Sequence, residues 1–87
     1  MAGATAASLA VVLVMADLII YTVRTCSTCE RAVHELTEEG VEFEERDIRK
    51  EERWFEEASR LGVTVPILLR GDRVEIGWKG DVGCLFQ

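Results

Sequence analysis

Residues 18–23 form an uninterrupted run of apolar, β-branched and aromatic side chains, Leu-Ile-Ile-Tyr-Thr-Val. A short run of this composition predicts a strand that is buried on both faces. Such a strand needs neighbouring strands at its edges and helices over its faces. We therefore expect residues 18–23 to be the central strand of a sheet in an α/β domain.

Two amphipathic helices are predicted after this strand. Small and apolar residues recur at helical spacing from Cys29 onward, and Gly40 supplies a C-terminal stop. A second apolar stripe runs along residues 54–61 and ends at Gly62. Charged residues occupy the other side of each helix. This is expected for a helix that packs one of its faces on a sheet and exposes the other to solvent.

Three further strands complete the predicted fold. Apolar and acidic residues alternate within residues 41–47, which predicts a half-buried strand. Residues 67–69 and 74–78 read as strands on either side of Gly71-Asp72, a two-residue hairpin loop. The order βαβαββ predicts a four-stranded mixed sheet with a helix joining one parallel pair. Residues 79–87 are too few for more than a turn of helix, so a third helix is truncated or missing.

The clearest chemical signal is the pair Cys26 and Cys29, which brackets Ser27-Thr28 between the first strand and the first helix. If Cys26 lies at the helix start, the two sulfurs are one turn apart and backbone N–H groups point at the first. The positive end of a helix lowers the pKa of a cysteine, and the thiolate is the species that attacks disulfides. This placement predicts a thiol–disulfide oxidoreductase with Cys26 as nucleophile and Cys29 as resolving cysteine.

Other interpretations of the cysteine pair remain open. It could be half of a metal site, a structural crosslink, or two unrelated buried thiols. A zinc site usually takes four ligands, and beyond the pair the chain offers only Cys84 and His34. We expect no bound metal and a solvated His34. The main alternative is a binding module that holds an iron–sulfur cluster or metal through Cys26, completed by a thiol cofactor or a second chain.

The single proline, Pro66, directly precedes a predicted strand. A proline at this place can simply begin an edge strand. Alternatively, a cis bond between Val65 and Pro66 would expose the Val65 backbone as a short edge that pairs with a substrate peptide.

Four motifs are informative when taken together: Ile20-Tyr21-Thr22, the Cys26–Cys29 pair, Thr64-Val65-Pro66 and Gly80-Asp81. In combination they resemble the glutaredoxins. The likeness runs from about Leu18 to the end of the sequence, and Trp78-Lys79-Gly80 is also similar to the small glutaredoxin-like electron donors of ribonucleotide reductase. The resemblance implies a thioredoxin-like fold, with Cys26 as the attacking and Cys29 as the resolving cysteine.

The resemblance also implies a substrate-binding surface and a reductant. No cofactor is expected to be bound, and glutathione or another low-molecular-weight thiol would reduce the protein. Val23 replaces a lysine usual in the family, and Ser27-Thr28 replaces the common Pro-Tyr, so a thioredoxin-reductase-like reductase is an equal alternative. The residues expected to contact substrate are Arg24, Thr25, Ser27, Thr28, Thr64, Val65, Pro66, Gly80 and Asp81.

The third cysteine, Cys84, follows Gly83 near the end of the sequence. The family topology would bring this region toward the dithiol. Cys84 is therefore either an additional redox or regulatory thiol or an incidental free cysteine.

Length and charge narrow the remaining function classes. The chain of 87 residues, 48% of them hydrophobic, has room for one domain, and its net charge of −6 disfavours nucleic acid and anionic membranes as partners. Three cysteines are too few for a disulfide-dense secreted scaffold. We expect a cytoplasmic monomer that acts on a disulfide-containing protein.

Residues 1–16 are rich in small and apolar side chains but lack the basic residues that begin a secretory signal. The apolar run over residues 9–16 is shorter than the about 20 residues that a membrane span needs. We expect an extension outside the core, with Met15 as the effective start and the domain over residues 17–87. The alternative is an uncleaved anchor, which would make the protein a membrane-tethered redox adaptor.

Overall fold

The structure is a computed structural model that describes residues 17–87. The predictions about residues 1–16 lie outside the described residues. Neither helix in residues 17–87 is long and apolar enough to cross a bilayer. The elements in chain order are β1 (Leu18–Thr22), α1 (Ser27–Glu38), β2 (Glu44–Asp47), α2 (Glu52–Leu61), β3 (Thr64–Val65), β4 (Ile67–Arg70), β5 (Arg73–Ile76) and β6 (Cys84–Leu85).

The main sheet has four strands in the order β2-β1-β4-β5. β1 runs parallel to β2, with Ile19 opposite Glu44, and antiparallel to β4, with Ile20 opposite Leu68. β4 and β5 form an antiparallel hairpin. The predicted α/β fold with a mixed four-stranded sheet is confirmed, and β1 is one of its two central strands.

The two faces of β1 pack into separate hydrophobic clusters because side chains alternate along a strand. Leu18 and Ile20 pack with Ala32 and Leu36 of α1. Tyr21, on the other face, packs in a cluster that contains Ala58 of α2. The helices therefore cover opposite faces of the sheet, which explains why β1 has no polar face.

The end of α1 shows why β2 begins later than predicted. Gly40 has a φ of +76°, its N–H donates to the Thr37 carbonyl, and the Val41 N–H donates to the Leu36 carbonyl. This pair of bonds is a Schellman motif, which satisfies the last carbonyls of a helix. Val41 is thus still part of the helix end. The strand predicted over residues 41–47 is reduced to the last four of them.

The β4–β5 hairpin confirms the predicted loop. Arg70 lies opposite Arg73, so Gly71-Asp72 is the two-residue connection, and Gly71 has a φ of +61°. β5 ends at Ile76 rather than at Trp78. Gly77 has a φ of +88°, and a side chain there would overlap the Asp81 carbonyl oxygen. The chain turns away from the sheet at this glycine.

The residues after this turn form no helix within residues 79–87, in agreement with the predicted loss of a third helix. Trp78 and Asp81 instead close a tight turn through reciprocal backbone hydrogen bonds of 2.8 and 2.9 Å. The chain then returns as β6, which pairs antiparallel with β3 in a separate two-stranded sheet. The sequence did not predict this second sheet, and it lies directly at the candidate site.

Candidate active site

Cys26 is the residue from which α1 begins. It has extended backbone angles, and its carbonyl accepts the first helical hydrogen bond, from Glu30 N–H at 3.1 Å. The amides of the three residues before Glu30 consequently have no acceptor within the helix. Their N–H groups and the positive end of the helix favour negative charge at the Cys26 sulfur. The helix therefore starts where the sequence analysis expected, beside a cysteine.

Cys29 lies almost one turn into α1 and is a free thiol. Only 2% of its surface is exposed. Burial raises the pKa of this thiol to about 11, and the nearby carboxylates of Glu45 and Asp47 add to the increase. Its hydrogen bond with the Val23 backbone opposes the shift but does not cancel it. Cys29 therefore stays protonated near neutral pH in this state.

Cys84 is bonded to Cys26 in the structure, with a Cα–Cα distance of 6.0 Å, and the two residues are 58 positions apart in sequence. The idea that Cys84 is an incidental free cysteine is therefore wrong. The bond joins the start of α1 to the start of β6. The sulfur partner of Cys26 in this state is Cys84, and the predicted resolving role of Cys29 stays a prediction.

The loop around Pro66 lies directly against this disulfide. The Val65-Pro66 peptide bond is cis, and the Cys26 Sγ atom lies 3.8 Å from the Val65 carbonyl oxygen. Val65 is fully buried. Its strand pairs with β6, which places Val65 opposite Cys84 and Thr64 opposite Leu85. The backbone edge that the sequence suggested for a substrate peptide is thus occupied by the protein's own β6.

Asp81 connects the turn before β6 to α1. Its Oδ2 atom accepts a hydrogen bond from Thr28 Oγ1 at 3.0 Å and lies 3.4 Å from an Arg31 guanidinium nitrogen. Its Oδ1 atom accepts a hydrogen bond from Gly83 N–H at 3.0 Å. The bonds from Gly83, Thr28 and Arg31 hold the pKa of Asp81 below its usual range. Arg31 was not among the residues expected to contact substrate, although its cationic side chain five residues after Cys26 was the available signal.

The other predicted substrate residues differ in exposure. Arg24, Thr25, Ser27 and Gly80 are exposed, whereas Pro66 is buried. A groove of about 460 Å³ opens beside Cys29. The residues that line it include Val23, Arg24, Glu30, His34 and Glu45. This groove reaches the free thiol and not the disulfide.

His34 lies on the exposed side of α1, where it pairs with Glu38 at 3.2 Å. Among residues 17–87, no three His, Cys, Asp or Glu side chains are arranged to hold a metal ion. A cluster bound through Cys26 would therefore need ligands from beyond this part of the chain.

A family profile and a solved structure each match a large part of this chain. The family profile described as Glutaredoxin matches residues 18–74. Among solved structures, the crystal structure of a glutaredoxin from Archaeoglobus fulgidus is similar to this chain, with a TM-score of 0.64 and 29% sequence identity over 76% of this chain and 79% of that one. No curated protein matches the sequence. The profile match contains Cys26, Cys29 and Pro66 but ends before Cys84.

Proposed function

The chain belongs to the glutaredoxin family, and from that premise we propose that it is a thiol–disulfide oxidoreductase that reduces disulfides through Cys26. Thiol–disulfide redox chemistry in general follows from the family. The observation that supports the specific role of Cys26 is its disulfide with a cysteine on an extended strand beside Val65. A cysteine of a substrate protein would present its sulfur in the same way.

The reaction begins with the Cys26 thiolate, favoured by the first-turn amides of α1. It attacks one sulfur of a substrate disulfide, forms a mixed disulfide, and expels the other substrate sulfur as a thiolate. A second thiol of the protein then attacks Cys26 and releases the reduced substrate. Two electrons pass to the substrate, and the protein is left with an internal disulfide that an external thiol must reduce.

The substrate is proposed to be an extended segment of a disulfide-containing protein that pairs with the Thr64-Val65 backbone. Such pairing supplies main-chain hydrogen bonds without demanding a particular sequence. Exposed residues around Cys26, among them Arg24, Thr25 and Ser27, would contact the flanking parts of the substrate. We propose that the protein works as a cytoplasmic monomer, reduced by glutathione, another small thiol, or a thioredoxin-reductase-like enzyme.

A coupled assay tests this function directly. The full chain would be supplied with bis(2-hydroxyethyl) disulfide, in one series with glutathione and its reductase and in another with thioredoxin reductase. Cys26→Ser should reduce the rate to that of the reaction without protein, while His34→Ala, which changes an exposed side chain of the same helix, should keep the rate of the unaltered protein. Equal rates for the unaltered protein and Cys26→Ser would exclude the proposed role.

A further inference from the structure

We propose that residues 84–87, here called the C-terminal segment, act as a built-in substrate mimic, and that Cys84 is the thiol that releases reduced substrate from Cys26. This inference rests on the proposed function and deepens it. It gives the resolving role to a residue outside the matched family region. It also makes the docking of the C-terminal segment and the binding of a substrate peptide mutually exclusive.

The C-terminal segment runs antiparallel along residues 62–65 and makes contacts of the kind that an added substrate strand would make. Cys84 and Leu85 pair with Val65 and Thr64. The Phe86 N–H donates to the Val63 carbonyl at 3.1 Å, and the Gln87 side-chain amide donates to the Gly62 carbonyl at 3.1 Å. Recognition of a peptide by strand addition uses this pattern of main-chain bonds.

Both ends of the segment are held by specific contacts. The Phe86 ring packs edge-to-face on Phe55 with a centroid distance of 5.7 Å. At the other end Asp81 binds Gly83 N–H and Thr28 Oγ1, which aims Cys84 at the start of α1. The placement of Cys84 opposite Cys26 therefore follows from several contacts besides the sulfur–sulfur bond.

The same segment is attached weakly enough to leave. β3 and β6 contain two residues each, and 72% of the surface of Leu85 is exposed. Cys84 and Phe86 pack against the core cluster only as partly buried residues, and a short edge pairing of this kind opens at lower free-energy cost than the core strands. With the segment docked, Cys26 is only 2% exposed, so a substrate protein reaches it only after the segment has left β3.

Cys29 is poorly placed to compete for the resolving role. A pKa raised from 9.0 to about 11 lowers the thiolate fraction of Cys29 at pH 7 by roughly 100-fold. The greater nucleophilicity of a more basic thiolate recovers part of this, which leaves Cys29 slower by about one order of magnitude. Cys84 is half-buried and on a strand that can move, so it lacks this burial.

The proposed cycle balances as two exchanges. The Cys26 thiolate attacks a substrate disulfide, so that one substrate sulfur bonds to Cys26 and the other leaves as a thiolate and takes a proton. The C-terminal segment then returns to β3 and displaces the substrate peptide. The Cys84 thiolate attacks the Cys26 sulfur, and the second substrate sulfur leaves. Two molecules of a low-molecular-weight thiol, or one dithiol reductase, reduce the Cys26–Cys84 disulfide and reopen the site.

A single-turnover experiment tests the assignment. The reduced unaltered protein and each reduced variant would be mixed with one equivalent of a peptide that carries 2-thio-5-nitropyridine on its cysteine. Samples would be quenched with acid at successive times, and the intact mass of the protein would be measured by mass spectrometry. Attack at the peptide sulfur releases the coloured thione, and the peptide adduct then decays by resolution. Cys84→Ser should slow that decay by about tenfold or more. Cys29→Ser should decay as the unaltered protein does, and so should the control Val82→Ser, which changes a side chain that is 73% exposed and lies outside the segment.

The possible outcomes distinguish failure of the proposed function from failure of the resolving role of Cys84. If the unaltered protein and Cys84→Ser form no peptide adduct at Cys26, the proposed function fails and the inference fails with it. If the adduct forms but decays as fast in Cys84→Ser as in the unaltered protein, or persists only in Cys29→Ser, the resolving role of Cys84 is overturned while the proposed function stands. Failure of dithiothreitol to reduce the Cys26–Cys84 bond in the folded protein would also overturn the inference.

Discussion

Cys84 lies directly opposite Val65 in the pairing of β6 with β3, and its sulfur is bonded to Cys26. One residue thus combines the backbone position that we propose for a substrate peptide with a sulfur that is bonded to Cys26. The arrangement joins a strand edge and a helix start that are 39 residues apart in the chain.

Gly83→Ala should prevent the C-terminal segment from docking. The backbone at Gly83 has a φ of +92°, and a Cβ atom there would overlap the Val65 carbonyl oxygen. In the reduced protein, Cys26 should then be alkylated by iodoacetamide faster than in the unaltered protein, as followed by peptide mapping. Gly71→Ala is the matched control, since Gly71 also has a positive φ but no atom within 4 Å of the added Cβ. Equal Cys26 alkylation rates in both variants would show that the segment does not cover the site.

Asp81→Ala should make the Cys26–Cys84 disulfide easier to reduce. The variant loses the bonds to Thr28 and Gly83 that aim Cys84 at Cys26, so the two thiols spend less time within reach of each other. Redox titration against glutathione should show reduction at a less reducing ratio than in the unaltered protein. Asp72→Ala, in the β4–β5 loop, should leave the titration unchanged. An unchanged titration in Asp81→Ala would contradict the aiming role.

The Asp81 carboxylate gives docking of the C-terminal segment a pH dependence of defined sign. Because its bonds hold the pKa of Asp81 below the usual range, its carboxylate supports the segment at all pH values above the unfolded pKa of about 3.9. This support is lost as the pH falls through the lower, folded pKa. Docking of the C-terminal segment, as measured by the protection of Cys26 from alkylation in the reduced protein, should therefore not weaken between pH 7 and pH 5. Weakening in that range would show that another group controls docking.

Cys29 should lower the stability of the oxidised protein at alkaline pH. Burial raises the pKa of Cys29 to about 11 in the folded protein, compared with about 8.5 when unfolded. The unfolded chain therefore loses this proton first, and the free energy of unfolding falls as the pH rises through this interval. Urea unfolding between pH 8 and 10 should show the decline, and Cys29→Ala should show less of it. The measurements are kept below pH 10 because burial also raises the pKa of Tyr21 in the folded protein. Above that pH, ionisation of Tyr21 in the unfolded chain would add its own decline in stability. Equal slopes in the two proteins would contradict the burial of Cys29.

Leu68→Ala should destabilise the domain by about 2–5 kcal/mol, since this fully buried side chain packs on β1 in the centre of the sheet. Val74→Ala on the neighbouring strand is the control, because 39% of the Val74 surface is exposed and little packing is lost. Urea denaturation of both variants measures the difference. Similar losses from the two substitutions would show that the core is not centred on β1 and β4.

The parts of the fold that the sequence predicted are those with local causes. The apolar run of β1 leaves no polar face, and Gly71-Asp72 supplies the loop geometry of a two-residue hairpin. The start of β2 was predicted too early, because alternation from Val41 looks the same whether the residues pair with a strand or finish a helix. The Schellman bonds of Gly40 and Val41 decide between these possibilities, and they depend on where α1 ends.

The second sheet had no local signal of this kind. β3 and β6 are two residues long, which is too short for periodicity. Their register depends on Gly83 fitting against Val65, a contact between residues 18 positions apart. The sequence therefore indicated that Cys26 and Pro66 belong to one site and left Cys84 open, since only the path of the chain after Gly77 brings Cys84 to Cys26.

The most direct test of the account is to identify which cysteine reacts first. The reduced unaltered protein would be exposed briefly to bis(2-hydroxyethyl) disulfide, quenched with acid, and mapped by digestion and mass spectrometry. The first oxidised species should carry a mercaptoethanol adduct on Cys26 or the Cys26–Cys84 disulfide, with Cys29 still a thiol. An adduct on Cys29 or Cys84 while Cys26 remains a free thiol would contradict it.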